Sequence, residues 1–332
     1  MDKNERIIRS VIPGEYAGTR LDRYLAGRFT YFSRNQWEQL IKGGNILLNG
    51  KQFRPSKILH GGEELEFIPP ETAAEPDVNT NYQVILENDD IIAVNKPPNL
   101  PVHPSGCYFN NTLSMLLRSQ YGTVHPVNRL DRETSGITLF AKTPKAAGRL
   151  AEQFLAESPE KVYIALVYGS FPETMTAEGY LSQEVDCIVR KKRRFTLHDP
   201  GNVEKETSST TFRLLGTNGQ ISAVECKLQT GRLHQIRATL CSSGFPLLGD
   251  KMYGPDPAIF VRYIDDTMTD ADRALLRLDH QALHAAHLRF RSPFTGEMLE
   301  LNAPMPEDMQ KILDQEIAFS ASNNENKRKD HI

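Results

Sequence analysis

Asp131 lies in the stretch Asn128-Arg129-Leu130-Asp131-Arg132-Glu133-Thr134-Ser135-Gly136, where one carboxylate is bracketed by two arginines and followed by a Thr-Ser-Gly turn. Arginines beside an acid lower its pKa and keep it ionised, which readies it as a nucleophile or base. They also reach for phosphates. Taken alone, the pattern also suits a surface loop with local ion pairs, which are common and weak. A lone aspartate working without a metal can attack an electrophilic carbon or activate a hydroxyl.

The surrounding sequence separates these readings. The nine residues resemble the His-Arg-Leu-Asp-x-x-Thr-Ser-Gly signature of the RluA-type RNA pseudouridine synthases. Further blocks match that family in order: Asn95-Lys96-Pro97-Pro98 with Val102-His103-Pro104, then Lys161-Val162-Tyr163-Ile164-Ala165, then Thr230-Gly231-Arg232-Leu233-His234-Gln235-Ile236-Arg237, then Leu248-Gly249-Asp250 and Leu283-His284-Ala285. The resemblance spans roughly residues 80 to 305. It implies isomerisation of uridine to pseudouridine: N1–C1′ is cleaved, the uracil turns while bound, and C5 joins C1′. Asp131 is the expected essential residue, whether the route is covalent or passes through a glycal.

The resemblance also distributes supporting roles. Arg129, two residues before Asp131, shares its side of an extended loop. It would fill the gap left by a flipped uridine or grip its phosphate. Flipping is required because C5 and C1′ are inaccessible in a stacked helix. Arg132 and Arg232 are further candidates for phosphate contact. Tyr163, on one strand face with Lys161 and Ala165, would lie against the uracil, its hydroxyl near C5. Arg237 would pair with the catalytic aspartate, keeping it charged and oriented. His234 is expected to hold the turn and to share a helix side with Arg237. Asn128 stands where the family has His, which puts loop geometry or substrate preference in question, since Asn cannot change charge near neutrality.

These residues need a scaffold. Residues 18–68 read as a small unit: Leu21, Tyr24, Leu25 and Phe29 follow helical spacing, and Ser33 can cap a second helix through Trp37, Leu40 and Ile41. Asn49-Gly50 then signals a hairpin. The pieces Arg20-Leu21-Asp22, Ser33-Arg34, Leu40-Ile41-Lys42-Gly43-Gly44 and Leu48-Asn49-Gly50 resemble an S4-type RNA-binding domain. That implies RNA contact by Arg20, Arg23, Arg34 and Lys42. Residues 69–80, rich in Pro and acids, read as a linker. Residues 81–310 form the expected catalytic domain, and residues 320–332 read as a disordered tail.

Within 81–310, strands are expected at 90–95, 137–141, 162–167, 209–215 and 222–228. Helices are expected at 144–156 and from near Arg232 to near Gly244. The pattern supports an α+β fold; the resemblance sharpens this to a pseudouridine synthase fold, a mixed, largely antiparallel sheet with surrounding helices.

Composition sets the remaining bounds. The 332 residues give room for a large core plus one small domain. Net charge is −3, mildly against a nucleic-acid partner, yet Arg190-Lys191-Lys192-Arg193-Arg194 and residues 20–57 concentrate positive charge that can steer RNA to one face. The charged start does not read as a secretory signal, and no apolar run reaches membrane-spanning length. Cys107, Cys187, Cys226 and Cys241 form no metal-type pair and read as reduced cytoplasmic thiols. No zinc set or phosphate-loop spacing is present, so no cofactor or metal is expected. Structured RNA, above all ribosomal RNA by analogy with S4-bearing relatives, is the expected partner; no obligate protein partner is indicated. The competing reading, a noncatalytic RNA-binding or ribosome-assembly factor, leaves Asp131, Tyr163 and Arg237 together unexplained. A third reading, a hydrolase acting on nucleosides or a deamination enzyme, is disfavoured because no deaminase zinc signature is present.

Overall fold

The computed structural model describes residues 7–29, 34–68, 75–105, 108–184, 187, 192–264 and 267–317. Ser33, residues 69–74, Arg190, Lys191 and the tail from 320 lie outside the described residues. The chain divides into two compact units, Met1–Asp77 with His103–Thr112, and Val78–Val102 with Leu113–Ile332.

The first unit contains β1 (Ile8–Val11), α1 (Leu21–Arg28), α2 (Arg34–Lys42), β2 (Ile46–Leu48), β3 (Lys51–Gln52) and β4 (Glu64–Phe67). The strands form an antiparallel sheet in the order β1-β4-β2-β3. Leu21, Tyr24 and Leu25 of α1 and Trp37 and Ile41 of α2 bury one face of each helix against Ile46, Leu48 and Phe67. Asn49 and Gly50 both adopt positive φ, 50° and 71°, as the two-residue β2–β3 turn demands. Glu75, expected in the linker, is tied down: its carboxylate accepts the backbone N–H groups of Phe109, Asn110 and Asn111 at 2.8–2.9 Å.

The second unit runs β5 (Gln83–Glu87), β6 (Ile91–Lys96), α3 (Leu113–Tyr121), β7 (His125–Pro126), β8 (Ser135–Ala141), α4 (Pro144–Ala156), β9 (Glu160–Tyr168), β10 (Thr174–Gln183), β11 (Arg193–Thr196), β12 (Lys205–Thr217), β13 (Ile221–Leu228), α5 (Gln235–Ser242), α6 (Ala258–Ile264), α7 (Asp270–Leu276), β14 (Leu283–Arg291), β15 (Met298–Asn302) and α8 (Glu307–Glu316). Its strands form one sheet in the order β11-β10-β12-β13-β9-β14-β8-β6-β5, with β15 added on β14 and β7 on β8. Among the described strands, β8 with β14 is the one parallel pair. The mixed, mostly antiparallel sheet matches the expected fold class.

Side-chain alternation explains the layers. Ile91, Ala93, Ile137 and Leu139 face Ala146 and Leu150 of α4. Ile92, Val94 and Phe140 face Leu113 and Leu117 of α3. Further along, Ala165, Val167 and Val224 pack on α5, while Leu166 and Ala223 pack on Met309 and Leu313 of α8. α4 starts where Thr143 Oγ1 accepts the Ala146 N–H at 3.1 Å, with Pro144 in the first turn. Among the described residues no helix is long and apolar enough to cross a membrane.

Candidate active site

Asp131 sits in the loop between β7 and β8, and that loop is fastened at several points. Asn128 donates through Nδ2 to Ile137 O (3.0 Å) and accepts the Leu139 N–H at Oδ1 (2.7 Å). One amide side chain thus supplies both halves of a ladder rung, so Asn128 acts on loop geometry. Fully buried Lys96 donates to Arg132 O and Pro97 O, each at 3.0 Å. Burial pulls its pKa down to about 7. The Thr134 N–H closes a turn onto Asp131 O at 3.2 Å, and the Gln281 amide donates to the Thr134 hydroxyl. Gly136 follows at φ 109°; a Cβ there would lie 2.3 Å from Ala285 O, so the Thr-Ser-Gly ending is dictated by the close passage of β14.

Arg237, on the first turn of α5, is the hub. Its Nη1 donates to Asp131 Oδ2 at 2.6 Å, and its Nε and Nη2 grip both oxygens of Asp250 at 2.7 and 2.9 Å. Asp250 also accepts the backbone N–H groups of Met252 and Tyr253 at 3.0 and 2.9 Å. The Tyr253 ring lies 4.8 Å from the guanidinium. Burial works against charge on Asp131, but the charge and hydrogen bond of Arg237, with help from Gln281, hold its carboxyl below the usual range. Burial likewise opposes the Arg237 charge, and its two aspartates overcome it and raise its pKa. Gly249 makes this possible: at φ 71° it passes so close to His280 O that a Cβ would be 1.8 Å away.

α5 begins at Gln235 rather than near Arg232. His234 takes the left-handed conformation, φ 56°, and so ends the helical hydrogen-bonding pattern on its N-terminal side. It does not lie on the helix with Arg237, yet its Nε2 still comes to 3.9 Å from Asp131 Oδ1. Its Nδ1 meets the Tyr253 hydroxyl at 2.9 Å. Gln235 is the knot of the preceding turn: its carbonyl takes the Arg232 N–H and the Thr230 hydroxyl, and its amide donates to Ser209 O and the Thr210 hydroxyl, all at 2.8–3.0 Å.

Asp131, with 28 % of its side chain exposed, opens into a cleft shared with Arg129, Tyr163, Arg232, His234 and Arg237. Leu228, Ile236 and Leu283 supply apolar wall. Tyr163, on β9, pairs across to Cys226 and Ala285. Burial, then the nearby Asp131 charge, raises its pKa, so the hydroxyl keeps its proton. Arg129 is exposed at the cleft and makes no ion pair among the described residues. Arg232 is also exposed, with Nε on Thr207 O at 3.2 Å. Arg132 turns elsewhere: it bonds Glu133 (2.7 Å) and the Tyr263 hydroxyl (2.6 Å) and lines a second pocket on the Lys251 and Phe260 side of Asp131.

The basic residues of the first unit are partly committed to structure. Arg20 and Arg34 both clasp the fully buried Asp22 at 2.6–3.0 Å. Burial raises the Asp22 pKa, but the two arginines bring it down to about 2. Both arginines keep a third or more of their surface exposed, Lys42 keeps more, and Arg23 is exposed on α1. Arg20, Lys42, Phe53 and Arg54 line one groove. In the sequence Asp250 lies in the Leu248-Gly249-Asp250 block with no role attached, and neither Tyr253 nor Gln281 falls within a block. Asp250 could have been found as an acid next to the close-packed Gly249; Tyr253 and Gln281 carry no local signal.

The sequence model of RNA pseudouridylate synthase matches residues 90–242, and that of the S4 domain matches residues 19–65. The chain belongs to the RNA pseudouridine synthase family. It is 34% identical to ribosomal large subunit pseudouridine synthase D of Xanthomonas campestris, over 92% of this chain and 91% of that protein. It is equally 34% identical to an uncharacterized RNA pseudouridine synthase of Chloroflexus aurantiacus, over 95% of both. In fold it resembles human RNA pseudouridylate synthase domain containing 1, with TM-score 0.57 and 22% identity over 77% of this chain and 97% of that one.

Proposed function

We propose that this RNA pseudouridine synthase modifies specific uridines of large-subunit ribosomal RNA, with Asp131 as the reacting group. The observation that carries the reading is the Asp131–Arg237 contact of 2.6 Å at the floor of an open cleft. Arg237 keeps the acid charged and fixes Oδ2, which leaves Oδ1 to face the substrate. That oxygen adds to the sugar or the ring, or takes the proton released on forming the intermediate; both routes fit the geometry. Tyr163 forms the wall against which the detached uracil turns, and its protonated hydroxyl is available near C5. Arg129 enters the space vacated by the flipped nucleotide or grips its phosphate, and Arg232 adds a second cation at the rim.

The ribosomal preference is supported by the names of the relatives, including that from Xanthomonas campestris. The S4 match supports a second RNA contact through Arg20, Arg23, Arg34 and Lys42. On this reading residues 18–68 hold RNA, 69–80 connect, and 81–310 perform the chemistry. The protein acts where ribosomal RNA is made and folded, which we take to be the cytoplasm.

The test is product mapping. Unmodified ribosomal and transfer RNAs carrying tritiated uridine are incubated with wild-type protein and with Asp131→Asn. Pseudouridine at defined large-subunit positions, lost in the variant, is the expected result. Full product from folded Asp131→Asn would remove the central assignment, and modification confined to transfer RNA would remove the ribosomal one.

A further inference from the structure

Asp131 Oδ1 has a neighbour that the Arg237 contact does not explain. The Tyr253 hydroxyl accepts the Arg193 backbone N–H at 2.7 Å, and its own proton is therefore free to point at His234 Nδ1, 2.9 Å away. That bond makes Nδ1 the acceptor and leaves the imidazole proton on Nε2. Nε2 is the atom 3.9 Å from Asp131 Oδ1. The imidazole is held neutral by burial, with the Arg237 charge adding to the effect. Its backbone is one of four non-glycine positions with positive φ among the described residues, and it lines both the cleft and the second pocket beside Asp131. Strain of this kind persists where the surroundings over-determine it, and it clusters at functional sites.

We propose that His234 is a positioning residue for Asp131, its Nε2–H restraining the carboxylate oxygen that Arg237 leaves unheld. Tyr253 sets the tautomer, and the left-handed turn sets the direction. The 3.9 Å gap closes to a hydrogen bond when substrate fills the cleft, as long contacts in free enzymes do. A neutral donor suits this position. It steadies Oδ1 without taking its charge, and it adds no second cation to compete with Arg237. The inference rests on Asp131 being the reacting group.

Single-turnover product formation and RNA affinity are measured on full-length protein with unmodified ribosomal RNA. His234→Phe keeps a ring and loses the donor; the expected result is a rate roughly 10–100-fold lower, the size that corresponds to losing one hydrogen bond to a charged group, with affinity unchanged. His234→Gln, whose amide reaches about as far, recovers most of the rate. His234→Asn suits the left-handed backbone, so its unfolding midpoint equals or exceeds wild type, yet its shorter side chain leaves the rate low. Tyr253→Phe falls between. A wild-type rate in His234→Phe or His234→Asn overturns the proposal. If the Phe variant does not fold, equal rates for Gln and Asn overturn it instead. Asp131→Asn runs alongside: product from that variant defeats the reading of Asp131 itself, whereas an inactive Asp131→Asn beside a fully active His234→Phe defeats the His234 assignment alone.

Discussion

Arg237 meets Asp131 through a single Nη1–Oδ2 contact of 2.6 Å, while its other two nitrogens each donate to Asp250. The buried arginine is thus fixed by one aspartate so that it can fix the other. Asp250→Ala leaves Arg237 a buried charge with half its partners, and should lower the unfolding free energy by about 3–5 kcal/mol in urea titrations. Arg237→Lys keeps the charge but cannot form the fork. It should fold less stably and lose most single-turnover activity, and wild-type turnover in that variant would show that charge alone suffices.

Asn128 should prove a loop fastener rather than a substrate contact. Asn128→Ala removes both hydrogen bonds to β8, at about 0.5–1.5 kcal/mol each. The expected loss appears in unfolding midpoint and in product formation, with RNA affinity unchanged. Asn128→Asp, which keeps the acceptor alone, should lie between. A selective loss of affinity would assign the side chain to the substrate.

Gly136 and Gly249 should tolerate nothing larger. Gly249→Ala meets His280 O at 1.8 Å and Gly136→Ala meets Ala285 O at 2.3 Å, each at positive φ. Both variants should yield little folded protein at the growth temperature, and soluble yield with circular dichroism checks this. Gly201→Ala has open space around its Cβ but shares the positive φ. It separates the conformational cost from the clash, and should cost about 1 kcal/mol.

Acid should weaken the fold in a defined window. Buried His284 donates through Nε2 to Ala303 O and accepts a hydrogen bond from the Ser135 hydroxyl at Nδ1, and burial lowers its pKa from 6.5 to about 4. The unfolded chain therefore binds more protons than the native one between those values, and stability rises with pH across them. The contribution is whole above 6.5, declines as pH falls, and is gone near 4. His234 shifts in the same direction. Unfolding free energies measured through this window should slope less steeply for His284→Gln than for wild type, and identical slopes would reject the assignment.

The basic face of the first unit should act through phosphate contact. Arg23→Gln and Lys42→Gln leave the Asp22 clasp intact, so the fold should be unchanged. Each should reduce the slope of log affinity against log salt by roughly 0.7–0.9, the value of one phosphate contact. An unchanged slope would assign this face to something other than RNA.

Local regularity made much of the scaffold readable in the sequence. β6, β8, β9, β12 and β13 appear where alternating or apolar runs predict them, α4 where Pro144 predicts its start, and the β2–β3 turn where Asn49-Gly50 predicts it. What resisted was set at a distance. α5 starts late because His234 is left-handed, with its ring hydrogen-bonded to distant Tyr253, and no neighbouring residue in the sequence announces that turn. The direction of Arg132 depends on Tyr263, 131 positions away. The pairing of Asp131 with Arg237, 106 positions apart, was readable through family resemblance and not through any pattern in the residues themselves.

The parallel junction of β8 with β14 bears on how the protein comes into being. Ser135 and His284 are hydrogen-bonded across 149 positions of chain, and the neighbouring Gly136–Ala285 register is what gives the Asp131 loop its landing. Contacts of such separation form late and slowly, since the loop they close must be paid for in entropy before they reward it. On the ribosome, Asp131 is synthesised long before the strand that seats its loop. The nascent chain therefore passes through a stage in which the S4 unit can already be folded and able to hold RNA while the catalytic centre does not yet exist. RNA capture should precede catalytic competence during synthesis, with the second awaiting release of the final third of the chain.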